Sequence, residues 1–160
     1  RRATYAACAR KGIAATVAVP VGMGASAMTF LPGGMTFDDY FGMAGHPELE
    51  QAIRFLVGIS PAMLQRTYVA DPSTVNLAQR RGPSTPMACQ LCSGIAATEA
   101  VKILLGRGEI IAAPHGFHFD AYRNKYVKTW RPGGNRNPIQ RLMLSIIRRQ
   151  LKTMNPAGNT

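Results

Sequence analysis

The stretch "IAATVAVPVGMGASA", from Ile13 to Ala27, constrains this chain more than any other. A continuous apolar run with β-branched residues, here Ile13 to Val21, is the pattern of a strand covered on both faces. The run meets Gly22, Gly24 and Ala27 in the spacing G-x-G-x-x-A. That is the spacing of the dinucleotide-binding turn, where glycines let the backbone approach a pyrophosphate at a helix N-terminus. Such a turn needs a helix directly after the glycines. The chain continues instead with "AMTFLPGGMTF", in which Thr29 and Phe30 favour a strand and Pro32-Gly33-Gly34 a turn. The pattern predicts strand, tight bend, strand, and the glycine match is coincidental. Asp38 and Asp39 come next in "MTFDDYF", where adjacent carboxylates on a strand-like segment point to opposite faces.

Around this centre the chain alternates helix and strand signals. Arg1 to Lys11 is Ala-rich and closed by Gly12. Pro47 opens a helix with Glu48 and Glu50 in its first turn and a stripe of Ile53, Leu56 and Val57. A second helix is expected from Ser60-Pro61 through Met63, Leu64 and Tyr68. "ADPSTVNLAQRRGPSTPMA" reads as a surface loop carrying the Arg80-Arg81 pair. "SGIAATEAVKILLGRG" predicts a helix with Ile95, Ala96, Ala100, Val101, Leu104 and Leu105 on one broad face and a Glu99–Lys102 pair at i, i+3. "EIIAAPHGFHFDAYRNKYVKTW" holds two strand-like runs, with Phe117, Phe119, Ala121 and Tyr126 as candidates for burial. Asn137-Pro138 then starts a helix whose Ile139, Leu142, Met143 and Ile146 face one way, ringed by Arg141, Arg148, Arg149 and Lys152.

At 160 residues the chain is long enough for one domain with a real core, and 46% hydrophobic with 17% charged residues excludes a wholly disordered chain. No apolar run approaches the roughly 20 residues of a membrane span, and nothing at the N-terminus resembles a signal peptide. It begins on Arg1 inside a helical pattern, which reads as a piece of a longer protein. The net charge of +11 is placed unevenly, with no acidic residue beyond Asp120. A basic end of this kind suits nucleic acid, an anionic membrane or an acidic protein, or is simply a solvated face.

Cys8, Cys89 and Cys92 are an odd set for a disulfide framework, so a reducing cytoplasm is the expected compartment. Cys89 and Cys92 form C-x-x-C. Three readings stand open: small buried hydrophobes, a reactive thiol favoured by a helix N-terminus, or half of a zinc site, for which Cys8 and His115 or His118 would have to complete the four ligands. His115 and His118 have no nucleophile elbow or carboxylate triad beside them and read as structural or surface histidines.

Taken in order, these segments resemble a known family. "RRATYAACARKGIAATVAVPVGMGASAMTFLPG" looks like the middle of the ThiF/MoeB family, the activating enzymes of ubiquitin-like and sulfur-carrier proteins, with Arg1, Cys8, the Ile13–Val21 strand, Gly24 and Phe30 in the family's order. "CQLCSGIAATEAVKILLG" is similar to the family's late helix. "FHFDAYRNKY" followed by "GNRNPIQRLML" resembles a bacterial ThiF-like branch. Tyr5 stands where the family commonly has Asn, and the paired C-x-x-C zinc motif of MoeB-like members is absent.

The resemblance implies an α/β fold: residues 1–160 as the C-terminal portion of one ThiF-like, Rossmann-related domain, a mixed sheet with flanking helices and a basic helical tail at about 137–160. It implies that the parent uses ATP and Mg to convert a carrier's C-terminal carboxylate into an acyl-adenylate, as a cytoplasmic homodimer. The phosphate-binding motif would lie upstream of Arg1, so the 160 residues alone would be inactive, without a metal site of their own. Cys89 and Cys92 are then the candidate thiols for a later acyl transfer. The alternative is a non-catalytic module whose basic C-terminal region engages nucleic acid, a membrane or an acidic protein.

Overall fold

The computed structural model describes residues 2–68 and 84–154, with side chains to residue 150. Helix α1 (Arg2–Arg10) ends where the sequence predicts, with Gly12 at φ 64° and Ile13 N–H reaching back to Cys8 O at 2.9 Å. Strand β1 (Ala15–Val21) turns at Gly22-Met23 into β2 (Gly24–Phe30), an antiparallel hairpin pairing Val21 with Gly24 and Ala15 with Phe30. Gly22 sits at φ 60°, the left-handed conformation that a two-residue hairpin turn needs at its first position. The G-x-G-x-x-A match is thus a hairpin with no helix behind it.

Strands β3 (His115–Asp120) and β4 (Lys125–Trp130) form a second hairpin, added to the far side of β2 in the order β1-β2-β3-β4. All three pairings are antiparallel. The fold is α/β in content, but the expectation of a mixed sheet is corrected. Parallel contact among the described residues is confined to isolated bridges at Gly22–Ser84 and Thr29–Ala112. The two hairpin turns each fold a strand straight back on its predecessor, while β2 and β3, joined by a long connection that could have made them parallel, pair antiparallel as well.

Helices cover both faces of the sheet. Helix α2 (Phe37–Phe41) and helix α3 (Glu48–Ile59) supply Phe37, Tyr40, Phe41 and Ile59, which pack with Val17, Met28 and Phe30 in the main core. Asp38 and Asp39, expected on a strand, instead open α2. Asp39 forms a reciprocal capping box with Thr36, and Asp38 pairs with Arg2 at 2.9 Å. The helix expected from Ser60 is reduced to a 3-10 turn at Leu64–Thr67. The opposite face presents Ala18, Ala25 and Ala27, and these small side chains let helix α4 (Pro86–Leu105) lie close against β1 and β2.

Helix α4 begins seven residues before the predicted Ser93 start, with Thr85 as its cap. Thr85 Oγ1 accepts Ala88 N–H at 3.3 Å, while Thr85 N–H and Oγ1–H both donate to Gly22 O, at 3.1 and 3.2 Å. The Arg80-Arg81 stretch lies outside the described residues, as does Arg1.

Two predicted apolar faces turn inward only in part, through Ile95 and Ala96 in α4 and Met143 in α5. In α4 the fully buried side chains are Ala88 and Glu99, whereas Leu104 is 83% exposed and Val101 and Leu105 also face out. Helix α5 (Pro138–Met154) packs Leu144, Met143 and Ile147 on Ile53 and Val57 of α3, leaving Ile139, Leu142 and Ile146 outside. Both helices carry apolar residues on more than one side, so periodicity alone could not choose between them.

Arg148 fixes α5 to α3 through both oxygens of Glu50, with Arg148 Nε 3.0 Å from Oε2 and Arg54 Nε 2.7 Å from Oε1. The Arg148 hydrogen bond, helped by Arg54 and opposed by burial, holds the Glu50 carboxyl below its ordinary 4.5. A depressed carboxylate stabilises above its unfolded value and loses that contribution as pH falls through the folded one. Arg148 is 40% exposed, which screens the pair. Glu50→Gln is expected to cost about 1 kcal/mol at neutral pH, or ~2–4 °C in melting temperature. Melts at pH 7 and pH 3 check this: the gap from wild type should close at the lower pH.

Candidate functional site

The densest set of chemistry-bearing side chains sits under one end of the sheet, where β2 and β3 meet the chain after α3. Register brings Ser26 opposite His118 and Gly24 opposite Asp120. Both His118 and Asp120 are fully buried, with Ser60 and Gln65 beside them. Ser26 Oγ lies within hydrogen-bond reach of Ile59 O and 2.9 Å from Phe117 O. Ser60 Oγ is 3.3 Å from His118 Nδ1 and 3.4 Å from Gln65 Oε1. Tyr68 Oη donates to Asp120 Oδ2 at 2.6 Å and accepts Met23 N–H at 3.0 Å, and Arg123 N–H donates to Asp120 Oδ1 at 3.0 Å.

A serine, a histidine and an aspartate in one cluster invite a catalytic reading, and the geometry answers it. Asp120 spends both oxygens on Tyr68 and Arg123, so it ties down a turn rather than orienting the imidazole. The other imidazole nitrogen, His118 Nε2, is buried without a partner among the described residues. Burial holds the His118 pKa below its ordinary 6.5 although Asp120 pulls the other way, so the ring favours its neutral form. With Ser60 and His118 both inaccessible, no substrate atom can approach the pair. The arrangement is a lock joining the β1–β2 turn, the β3–β4 hairpin and the chain after α3.

The sequence carried a signal for this cluster in the alternation of Phe117, His118, Phe119 and Asp120. An alternating strand is ordinarily read with its polar residues outward. Here the polar pair faces the main core side, and the phenylalanines face α4. Gln65 and Tyr68, which complete the network, gave no sequence signal.

Cys89 and Cys92 lie three residues apart on α4, the first exposed and the second half-buried. Cys92 is the seventh helical residue, beyond the first turn where the dipole acts. Burial, with Cys89 nearby, pushes its thiol up, which opposes thiolate formation. Among the described residues no three His, Cys, Asp or Glu side chains converge as metal ligands, and Cys8, His115 and His118 are not gathered around the pair. Cys8 instead borders a cleft of about 220 Å³ between α1 and the Leu31–Thr36 loop, lined also by Tyr5 and Phe37.

Helix α4 is also notable for its length and apolar composition. It is 20 residues long, with an 18-residue stretch of mean hydropathy 1.3, and so by length and composition alone could cross a bilayer, a test that a helix packed on a sheet also passes.

No family model matches the chain, and no curated protein matches it.

Proposed function

We propose that this chain is the C-terminal, substrate-side part of a cytoplasmic ThiF-like adenylyltransferase. In this reading the ATP- and Mg-binding part of the Rossmann-related domain lies elsewhere in the parent. The parent converts the C-terminal carboxylate of a ubiquitin-like or sulfur-carrier protein into an acyl-adenylate with release of pyrophosphate, and works as a homodimer.

The observation that carries this reading is the edge of β1, which pairs with no further strand among the described residues. A sheet edge exposes unpaired backbone groups, and proteins ordinarily guard it with charge, proline or a covering element. The other edge, β4, carries Lys125 and Lys128, whereas β1 reads ATVAVPV and is guarded by Pro20 and by the Tyr5 hydroxyl, which donates to Thr16 O at 3.0 Å. An apolar edge without charged residues supports a sheet that continues with further strands, as the family resemblance implies.

ATP needs backbone N–H groups at a glycine-rich turn opening a helix, with a metal to offset phosphate charge. The Gly22–Ala27 stretch is a hairpin and supplies neither. The 160-residue chain is therefore expected to show no ATP binding in calorimetry and no pyrophosphate exchange. The full-length parent, given a carrier with a free C-terminal carboxylate, is expected to exchange label into ATP and release AMP. Micromolar ATP binding by the chain alone, or a parent inert with every carrier, overturns the proposal.

The exposed Ile139, Leu142 and Ile146 stripe of α5, with Arg136 and Arg141 beside it, favours the second reading, a basic binding module. Salt-dependent polynucleotide binding by a parent without exchange activity would select it.

A further inference from the structure

Exposed aromatic rings are gathered in one place on this molecule. Among the described residues, the aromatic side chains more than half exposed are Tyr122 at 63%, Tyr126 at 51% and Trp130 at 60%, all on or beside β4. The other Phe and Tyr side chains are buried or half-buried. Arg123, Lys125, Lys128 and Arg131 interleave with these rings, and no acidic residue follows Asp120. Apolar surface left open in a cluster marks a place of contact.

Strand geometry aims the rings. Tyr126, Lys128 and Trp130 share the face of β4 on which Phe119, Phe117 and His115 stand opposite them. The Tyr126 ring lies 5.5 Å from that of Phe117, inclined by 31°, and Trp130 lies 6.3 Å from His115 at 23°. Each outer ring is thus backed by an inner one and turns its other π-face to solvent. Four residues at ~3.3 Å each separate Tyr126 from Trp130 by about 13 Å. That is too wide to clamp one base between them, and it suits two bases of one strand. Lys128, midway, is held by Glu109 at 2.8 Å, so charge has to come from its neighbours. Among the described residues, Arg123 donates to Leu64 O at 3.3 Å and Arg131 to Trp130 O at 2.9 Å, neutral acceptors that leave both charges in place. Lys125 is exposed at the start of the strand.

The occupant has to offer flat rings and negative charge together. A neutral sugar or peptide would leave the cations unused, and an inorganic polyanion would leave the rings unused. A duplex keeps its base faces stacked inside. An anionic membrane takes Trp and Tyr at the headgroup level by their polar tips, whereas these rings lie against inner rings with a face outward. A single nucleic-acid strand carries accessible base faces on a phosphate backbone. We infer that the outer face of the β3–β4 hairpin binds single-stranded nucleic acid, one base stacking on Tyr126 and another on Trp130, with Arg123, Lys125 and Arg131 meeting phosphates. This surface includes neither an ATP site nor α5, so it stands apart from both readings above.

Trp130 is the chain's one tryptophan, so its emission reports on the site directly. The chain is titrated with an oligothymidylate of about eight nucleotides, with its duplex, with inorganic polyphosphate and with vesicles of phosphatidylcholine and phosphatidylserine. The single strand is expected to quench the emission saturably, with a Kd on the order of 10 μM at low salt. Duplex and polyphosphate are expected to displace it only at about tenfold higher concentration or more. Log affinity should fall against log salt with a slope of about −2, and Lys125→Gln should flatten that slope by about 0.7. Tyr126→Ala is expected to weaken binding about tenfold with far-ultraviolet circular dichroism unchanged. Absence of saturable quenching, equal displacement by duplex or polyphosphate, or an unchanged Kd in Tyr126→Ala overturns the proposal. So does a blue shift on vesicles in place of quenching by the strand. The comparison of strand, duplex and polyphosphate uses the unaltered chain, so it decides should the variant fail to fold.

Discussion

Gly24→Val is expected to yield no cooperatively folded protein. A Cβ at position 24 would stand 2.1 Å from Phe119 O and 2.8 Å from Asp120 Cα, both backbone atoms of the paired strand. β2 is buried along its whole length, so it cannot shift away without losing α4 on one face or the main core on the other. Overpacking where backbone must yield is expected to cost about 3 kcal/mol or more. Gly12→Ala is the control: φ is 64° there, but nothing lies within 4 Å of the added carbon, so the cost should be about 1 kcal/mol. Urea unfolding of both variants checks the contrast, and a wild-type midpoint for Gly24→Val would refute it. A phosphate-binding glycine predicts the reverse, a folded variant that has lost its nucleotide.

The second large effect is expected at Asp120. Asp120→Ala removes the acceptor of both Tyr68 Oη–H and Arg123 N–H and leaves a gap at a fully buried position. Two charge-assisted hydrogen bonds together with the cavity amount to about 3–5 kcal/mol, or a melting point lower by ~10 °C for a chain of this size. Tyr68→Phe keeps the packing of that ring on Tyr122 and should cost only about 1 kcal/mol. Because the two residues share one bond, the double variant should fall short of the summed losses by about 1 kcal/mol. Strict additivity in thermal melts would show that Asp120 acts on something other than Tyr68.

What the sequence made legible was local. Gly12, the Gly22-Met23 bend, the strand pairs and the helix opened by Pro47 follow from turn chemistry and period, both of which act within a few residues. The Glu99–Lys102 pair was legible for the same reason. The direction in which an apolar face points was not, because it depends on what arrives from elsewhere in the chain. Leu104 and Leu105 extend the predicted stripe of α4 as well as any core residue does, yet the β1–β2 face beneath takes the helix close through Ala18, Ala25 and Ala27. In α5 the choice fell to Leu144 and Ile147 because Arg148 is held by Glu50 on α3. The polar lock at His118 and Asp120 was hidden because its partners, Ser26, Ser60, Gln65 and Tyr68, are scattered over the chain.

The tie between Thr85 and the β1–β2 turn bears on how the chain emerges during synthesis. The N-terminal hairpin closes with local contacts alone, on a microsecond timescale. The helix that roofs it is anchored 63 residues later, at the bond from Thr85 to Gly22. The strand that completes its other side comes later still, at the bond from Ser26 to Phe117, 91 residues apart. At ribosomal speed that interval is roughly 5–20 s. Throughout it, the most deeply buried strand of the finished protein is exposed on its unpaired edge, so the nascent chain is most vulnerable to aggregation before its second hairpin has been made.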